Sequence, residues 1–200
     1  MKNSKRVSTR KLTLMALMIA LSYIGFQYLR IDIPIGGSST AIHLGNTFCV
    51  LGALLLGGLS GGLSGAIGLS MADLMIPAYA PEAPKTFFLK FMISLITGLV
   101  AHKIAKINEH SDNQKHLNIW VFISATAGMT FNVIFAPITS YFYKQYILGV
   151  SADSARIFAT MTAGATLFNA ITSVIIASLL YLALRKAINN NRFFKELIKN

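Results

Sequence analysis

The chain has 200 residues, of which 54% are hydrophobic and only 12% charged. A soluble domain of this length carries about twice that charge, so the composition is that of a membrane protein. The net charge of +11 does not point to nucleic acid, because the basic residues stand between apolar segments and at the two ends.

Met1–Lys11 is a short basic tail. No small-residue cleavage site follows it and further apolar segments do, so it does not read as a signal peptide. Leu12–Leu29 is predicted as the first span, about 27 Å of helix. Arg30–Ser39 holds Pro34, Gly36 and Gly37 and reads as a loop. Ala41–Leu56 and Leu59–Ile76 are predicted as two spans folded back on each other at Gly57 and Gly58. Eight of the fifteen glycines lie between Thr40 and Asp73. Glycine weakens a helix in water, but in a bilayer the helix holds and small residues let backbones approach. The spacing fits: Gly57 with Gly61, Gly58 with Gly62, Gly61 with Gly65. The two far ends of this hairpin emerge together, so His43, Asn46 and Asp73 are expected to share one mouth.

Pro77–Lys85 holds three of the five prolines and cannot be a span. Phe87–Ile104 is the fourth span and Asn108–His116 a polar loop. Leu117–Tyr141 is the fifth span, loosened near its end by Pro137. Tyr143–Ser154 reads as a loop and Ala155–Leu184 as the sixth span. Phe193, Phe194, Leu197 and Ile198 give the basic tail after Arg185 an apolar face that could lie along a membrane. The expectation is an all-α polytopic membrane protein of six spans, residues 1–200 forming one integral-membrane domain. Thirteen of the eighteen Lys and Arg lie in the two tails and the Lys103–Lys115 loop. Six spans put both termini on one side, and both are basic, so both are expected in the cytoplasm. The mouth with His43 and Asp73 then faces outward.

Asp73 and Lys90 stand about 5 Å inside the membrane at matching depth on consecutive helices. Such residues pair with one another or line a polar cavity. Two readings are open: a mutual salt bridge, or contact with a substrate. Asn46, three residues after His43, is expected on the same helical face. Asn132 and Asn169 lie deeper, where an amide offers a donor and an acceptor without charge. They suit either a neutral ring-shaped ligand or a bond between helices. Thr162 and Thr166 share roughly a face with Asn169. Tyr79, Tyr141, Tyr143 and Tyr146 gather at the outer boundary, as an aromatic belt or, for one or two, as a surface for a ligand. The single cysteine, Cys49, excludes an intrachain disulfide and a thiol metal cluster. His102, His110 and His116 have no carboxylate at ligand spacing, so no metal site is expected.

Gly58-Leu-Ser60-Gly61 and Gly62-Leu-Ser64-Gly65 match the G-x-S-G pattern of rhomboid-type intramembrane proteases. A nucleophilic serine needs a base within reach. His43 lies at the opposite end, while His102 could approach. There is no G-x-x-x-x-G-K-[ST], so the chain does not hydrolyse ATP by that route, and no cofactor is expected in it.

The whole pattern resembles the substrate-binding S component of energy-coupling factor (ECF) vitamin transporters. The likeness rests on the length, six spans with both ends inside, and Ala16-x-x-x-Ala20 on the first span. It also rests on the run TAIHLGN…LLLGGLSGGLSGAIG…ADL…APKTFFLKF…ITGLVAH. That run resembles most closely the branch for pyridoxine or hydroxymethylpyrimidine; riboflavin and cobalamin are alternatives within the class. The resemblance implies a pocket open to the outside, built from the later helices and capped by the Arg30–Ser39 loop. On this reading His43, Asn46, Asp73, Tyr79, Lys90, Asn132 and Asn169 bind the ligand. The resemblance also implies a membrane coupling subunit, met by Ala16 and Ala20, and two ATPase subunits, in a bacterial plasma membrane. An integral-membrane enzyme and a purely structural subunit are the rival classes.

Overall fold

The computed structural model describes residues 8–35, 38–109 and 113–189. Its helices are α1 (Thr9–Gln27), α2 (Gly45–Leu56), α3 (Gly58–Leu74), α4 (Ala83–Leu99), α5 (Gln114–Phe142) and α6 (Ala152–Asn189). Two strands, β1 (Arg30–Ile35) and β2 (Ser38–His43), stand between α1 and α2. The apolar face of the basic tail, beyond residue 189, lies outside the described residues.

The described residues are therefore helical with one small sheet. β1 and β2 pair antiparallel, with Arg30 opposite His43 and Ile33 opposite Thr40. The segment read as a loop is this hairpin. Ile31, Ile33, Ile35 and Ile42 supply β-branched residues, and Pro34 is tolerated on an edge strand. The strand also takes Ala41–His43 from what the sequence assigned to the second span. α2 is left with 12 residues, about 18 Å, which is too short to cross a hydrocarbon core of about 30 Å alone.

Among the described residues, four helical segments are long and apolar enough to cross a membrane: Thr9–Gln27, Ala80–Ile104, Gln114–Ile147 and Ala152–Ala187. The last three of them outrun the predicted spans. A single turn, Ala80–Glu82, leads into α4, because Pro84 sits in its first turn, where the missing N–H costs nothing. α5 passes Pro137 without breaking and ends in a π-helical turn, Tyr143–Ile147. α4 ends the same way at Val100–Ile104.

α2 is the most enclosed helix, packed by α1, α3, α4 and α6; Cys49, Val50 and Ala53 have no exposed surface. The turn between α2 and α3 falls at Gly57, whose φ of 83° only glycine adopts freely. The close approach foreseen from the glycine spacing is present. A Cβ on Gly61 would overlap the backbone of Gly52 and Ala53, and one on Gly98 the backbone of Gly58. α3 thus lies directly against α2 on one side and α4 on the other. Large apolar side chains point outward along α5 and α6, among them Phe122, Ile134, Phe135, Leu167, Phe168, Ile171 and Leu179. Water would penalise so broad an apolar surface, whereas lipid tails match it.

Candidate functional site

All seven residues predicted to bind a ligand line one cavity. It lies beneath the β hairpin and is walled by α2, α3, α4, α5 and α6. His43, Asn46, Asp73, Tyr79, Asn132 and Asn169 are each at most 7% exposed. Thr162 and Thr166 line it too.

The roof is held by side chains. Asn169 of α6 accepts from the His43 N–H at 2.9 Å and donates to the Ala41 carbonyl at 2.9 Å. One amide thereby serves as the missing neighbour of strand β2. Tyr79 donates to Asp32 of β1 at 2.8 Å, and Asp32 also takes the Arg30 Nε at 3.0 Å. The Arg30 guanidinium stands 5.5 Å from the Phe26 ring. Burial, and then the Asp32 carboxylate, push the Tyr79 hydroxyl above its ordinary pKa.

His43 does not share a helical face with Asn46, because it ends the strand rather than starting the helix. Its Nδ1 accepts from the Gly45 N–H at 3.1 Å, so it caps α2. Its ring packs edge-on against Phe26, centroids 4.7 Å apart. The imidazole is neutral, as an accepting Nδ1 requires.

One side of the cavity carries a charge cluster that the sequence reading missed. Glu82 forms ion pairs with both Lys85 and Lys144. Lys144 reaches inward because the π-helical turn rotates it toward the bundle, and its Nζ stands 4.3 Å from the centre of the Phe158 ring. The sequence signal was slight: Glu82 is the one acidic residue in the proline-rich stretch, flanked by cations on both sides of it in the fold.

Asp73 and Lys90 line the same cavity without forming an ion pair with each other among the described residues. The mutual salt bridge is therefore not made, although each lies in the other's field. The Thr86 hydroxyl stands beside Asp73. The Oδ1 atoms of Asn46 and Asn132 are buried with no hydrogen-bond partner. A buried acceptor left unpaired costs roughly 1–3 kcal/mol.

The serine motifs are spent on packing. Ser64 is buried and donates to the Ser60 carbonyl at 2.9 Å. His102 meets the Ala53 carbonyl at 3.1 Å instead of either serine. Ala16 and Ala20 are both exposed on α1, one turn apart.

Residues 6–186 match the family model described as ECF-type riboflavin transporter, S component. The chain belongs to this family. S components are substrate-binding subunits of vitamin transport rather than enzymes, and a multi-pass membrane protein is the form the four long apolar helices require. No curated protein matches the chain. The family model carries the name of riboflavin, which the sequence reading held as an alternative to the pyridoxine and hydroxymethylpyrimidine branch.

Proposed function

We propose that this S component binds a small heteroaromatic vitamin or precursor in the cavity beneath the β hairpin. Hydroxymethylpyrimidine, pyridoxine and riboflavin are the leading ligands. The observation that carries the reading is the lining itself: buried amide oxygens without partners, and a carboxylate and an ammonium group that do not neutralise each other. A membrane protein keeps such groups where a ligand completes them. His43, Asn46, Asp73, Tyr79, Lys90, Asn132 and Asn169 surround the ligand, and the hairpin covers it.

The cavity opens outward and both termini are cytoplasmic, a reading that the distribution of Lys and Arg supports. α2 and α3, with the hairpin above α2, complete six passes through a bacterial plasma membrane. Non-helical backbone is stable at that depth because it lines the cavity and is bonded to Asn169. A membrane coupling subunit packs on the exposed Ala16 and Ala20 of α1, and two ATPase subunits drive transport.

Titration of the purified chain with riboflavin, pyridoxine, hydroxymethylpyrimidine and cobalamin tests the ligand class. Tight binding of one heteroaromatic is expected; tight binding only of a multiply charged anion contradicts it. Replacing Ala16 or Ala20 with Trp separates the two contacts. Uptake should be lost while binding by the isolated chain is kept, since added bulk parts two helices in close contact. Normal uptake by an assembled complex would place the partner elsewhere.

A further inference from the structure

The cavity's charged groups fall into two sets. Glu82 is ion-paired to both Lys85 and Lys144. Asp73 and Lys90 are not paired with each other, and neither is bonded to an opposite charge among the described residues. Asp73 is 3% exposed and yet keeps free acceptor capacity, because a carboxylate has about four lone-pair positions and Thr86 fills at most one. Lys90 has three N–H donors and no acceptor. The nearby buried oxygens of Asn46 and Asn132 are also open acceptors. The unfilled positions thus include three acceptors and one cationic donor, all lining one cavity.

We propose that Asp73 and Lys90 act as a split pair that reads adjacent donor and acceptor atoms on the edge of the ligand ring. Asp73 accepts from a ring-edge N–H or O–H, and Lys90 donates to the neighbouring ring nitrogen or oxygen. Asn46 and Asn132 take further donors of the same ligand. The class selected is a heteroaromatic with a donor next to an acceptor and additional N–H or O–H groups. A ring with acceptors alone is rejected, because it leaves Asp73 and both amide oxygens unpaired in a buried site. The inference rests on the vitamin-binding reading and goes beyond it by assigning the polarity of the site.

The test uses probe pairs that differ at one donor group: hydroxymethylpyrimidine and its 4-deamino analogue, pyridoxine and 3-deoxypyridoxine, riboflavin and N3-methylriboflavin. Each is titrated into the full chain, wild type and Asp73→Asn. For each parent that binds, the altered partner should bind about 10- to 100-fold more weakly to the wild type, the range for a hydrogen bond to a charged group. In Asp73→Asn, whose amide both donates and accepts, that ratio should fall below about threefold. A ratio that persists in Asp73→Asn overturns the split pair while leaving vitamin binding intact. Binding of none of the parents overturns the vitamin reading and this inference with it. If Asp73→Asn does not fold, Lys90→Gln carries the test. Every parent that binds the wild type should then bind about tenfold more weakly, with no fall in the ligand-free melting temperature. Unchanged affinity there overturns the proposal.

Discussion

The Glu82 cluster and the Asp73 side of the cavity are built from the same residue types and lie in one cavity, yet they are in opposite states. Glu82 is bonded by two lysines from different parts of the chain, one on α4 and one in the turn after α5. It therefore fastens the start of α4 to the end of α5. Asp73 and Lys90 sit on neighbouring helices, α3 and α4, and stay apart, with Asn46 and Asn132 open beside them. Buried polar groups that are satisfied hold a fold together, and buried groups left open cost stability until something fills them. The contrast separates ion-paired groups from open ones among the side chains that line a single cavity.

Breaking the closed set should give the largest effect on stability. Glu82→Gln removes the carboxylate that Lys85 and Lys144 both contact, and removing one partner of a buried pair costs roughly 3–5 kcal/mol. A much lowered melting temperature is expected, with ligand affinity of the folded fraction within about threefold of wild type. A large loss of affinity with no change in melting would move Glu82 into the binding set. Asn169→Ala comes next. It strips both bonds from β2 and leaves two backbone groups unpaired, about 2 kcal/mol in total. Hydrogen exchange at the His43 amide should accelerate about 10- to 100-fold, whereas an unchanged rate would mean the hairpin does not depend on α6. The open set predicts the reverse pattern. Asn46→Ala removes an acceptor that has no partner, so the ligand-free protein should melt no lower than wild type. Its ligand should bind about 2- to 10-fold more weakly, and a drop in melting with normal affinity would make Asn46 a fastening residue.

Much of this was legible in the residues. The close packing of α3 was written in glycines four apart, since no other residue permits such contact. The gathering of His43, Asn46 and Asp73 followed from a hairpin with both ends on one side. The β hairpin was hidden because Gly36, Gly37 and Pro34 read as loop signals, and a two-stranded sheet leaves only a short alternation to detect. With it went the helical start at Ala41 and the shared face of His43 and Asn46. Lys144 was hidden for another reason. A π-helical turn changes which way a side chain points, and no residue pattern around Tyr143–Ile147 announces one. The pairing of Glu82 with Lys144 spans 62 positions, beyond the reach of local spacing.

We propose that a heteroaromatic ligand completes the cavity beneath the hairpin. The most direct test is mass spectrometry of the small molecules released when the chain, purified gently from its own membrane, is denatured. One heteroaromatic compound at close to one per chain in the wild type, and strongly depleted from Asp73→Asn purified in parallel, is the expected result. Release of no such compound from a chain that also binds none when supplied with the vitamin panel would contradict it.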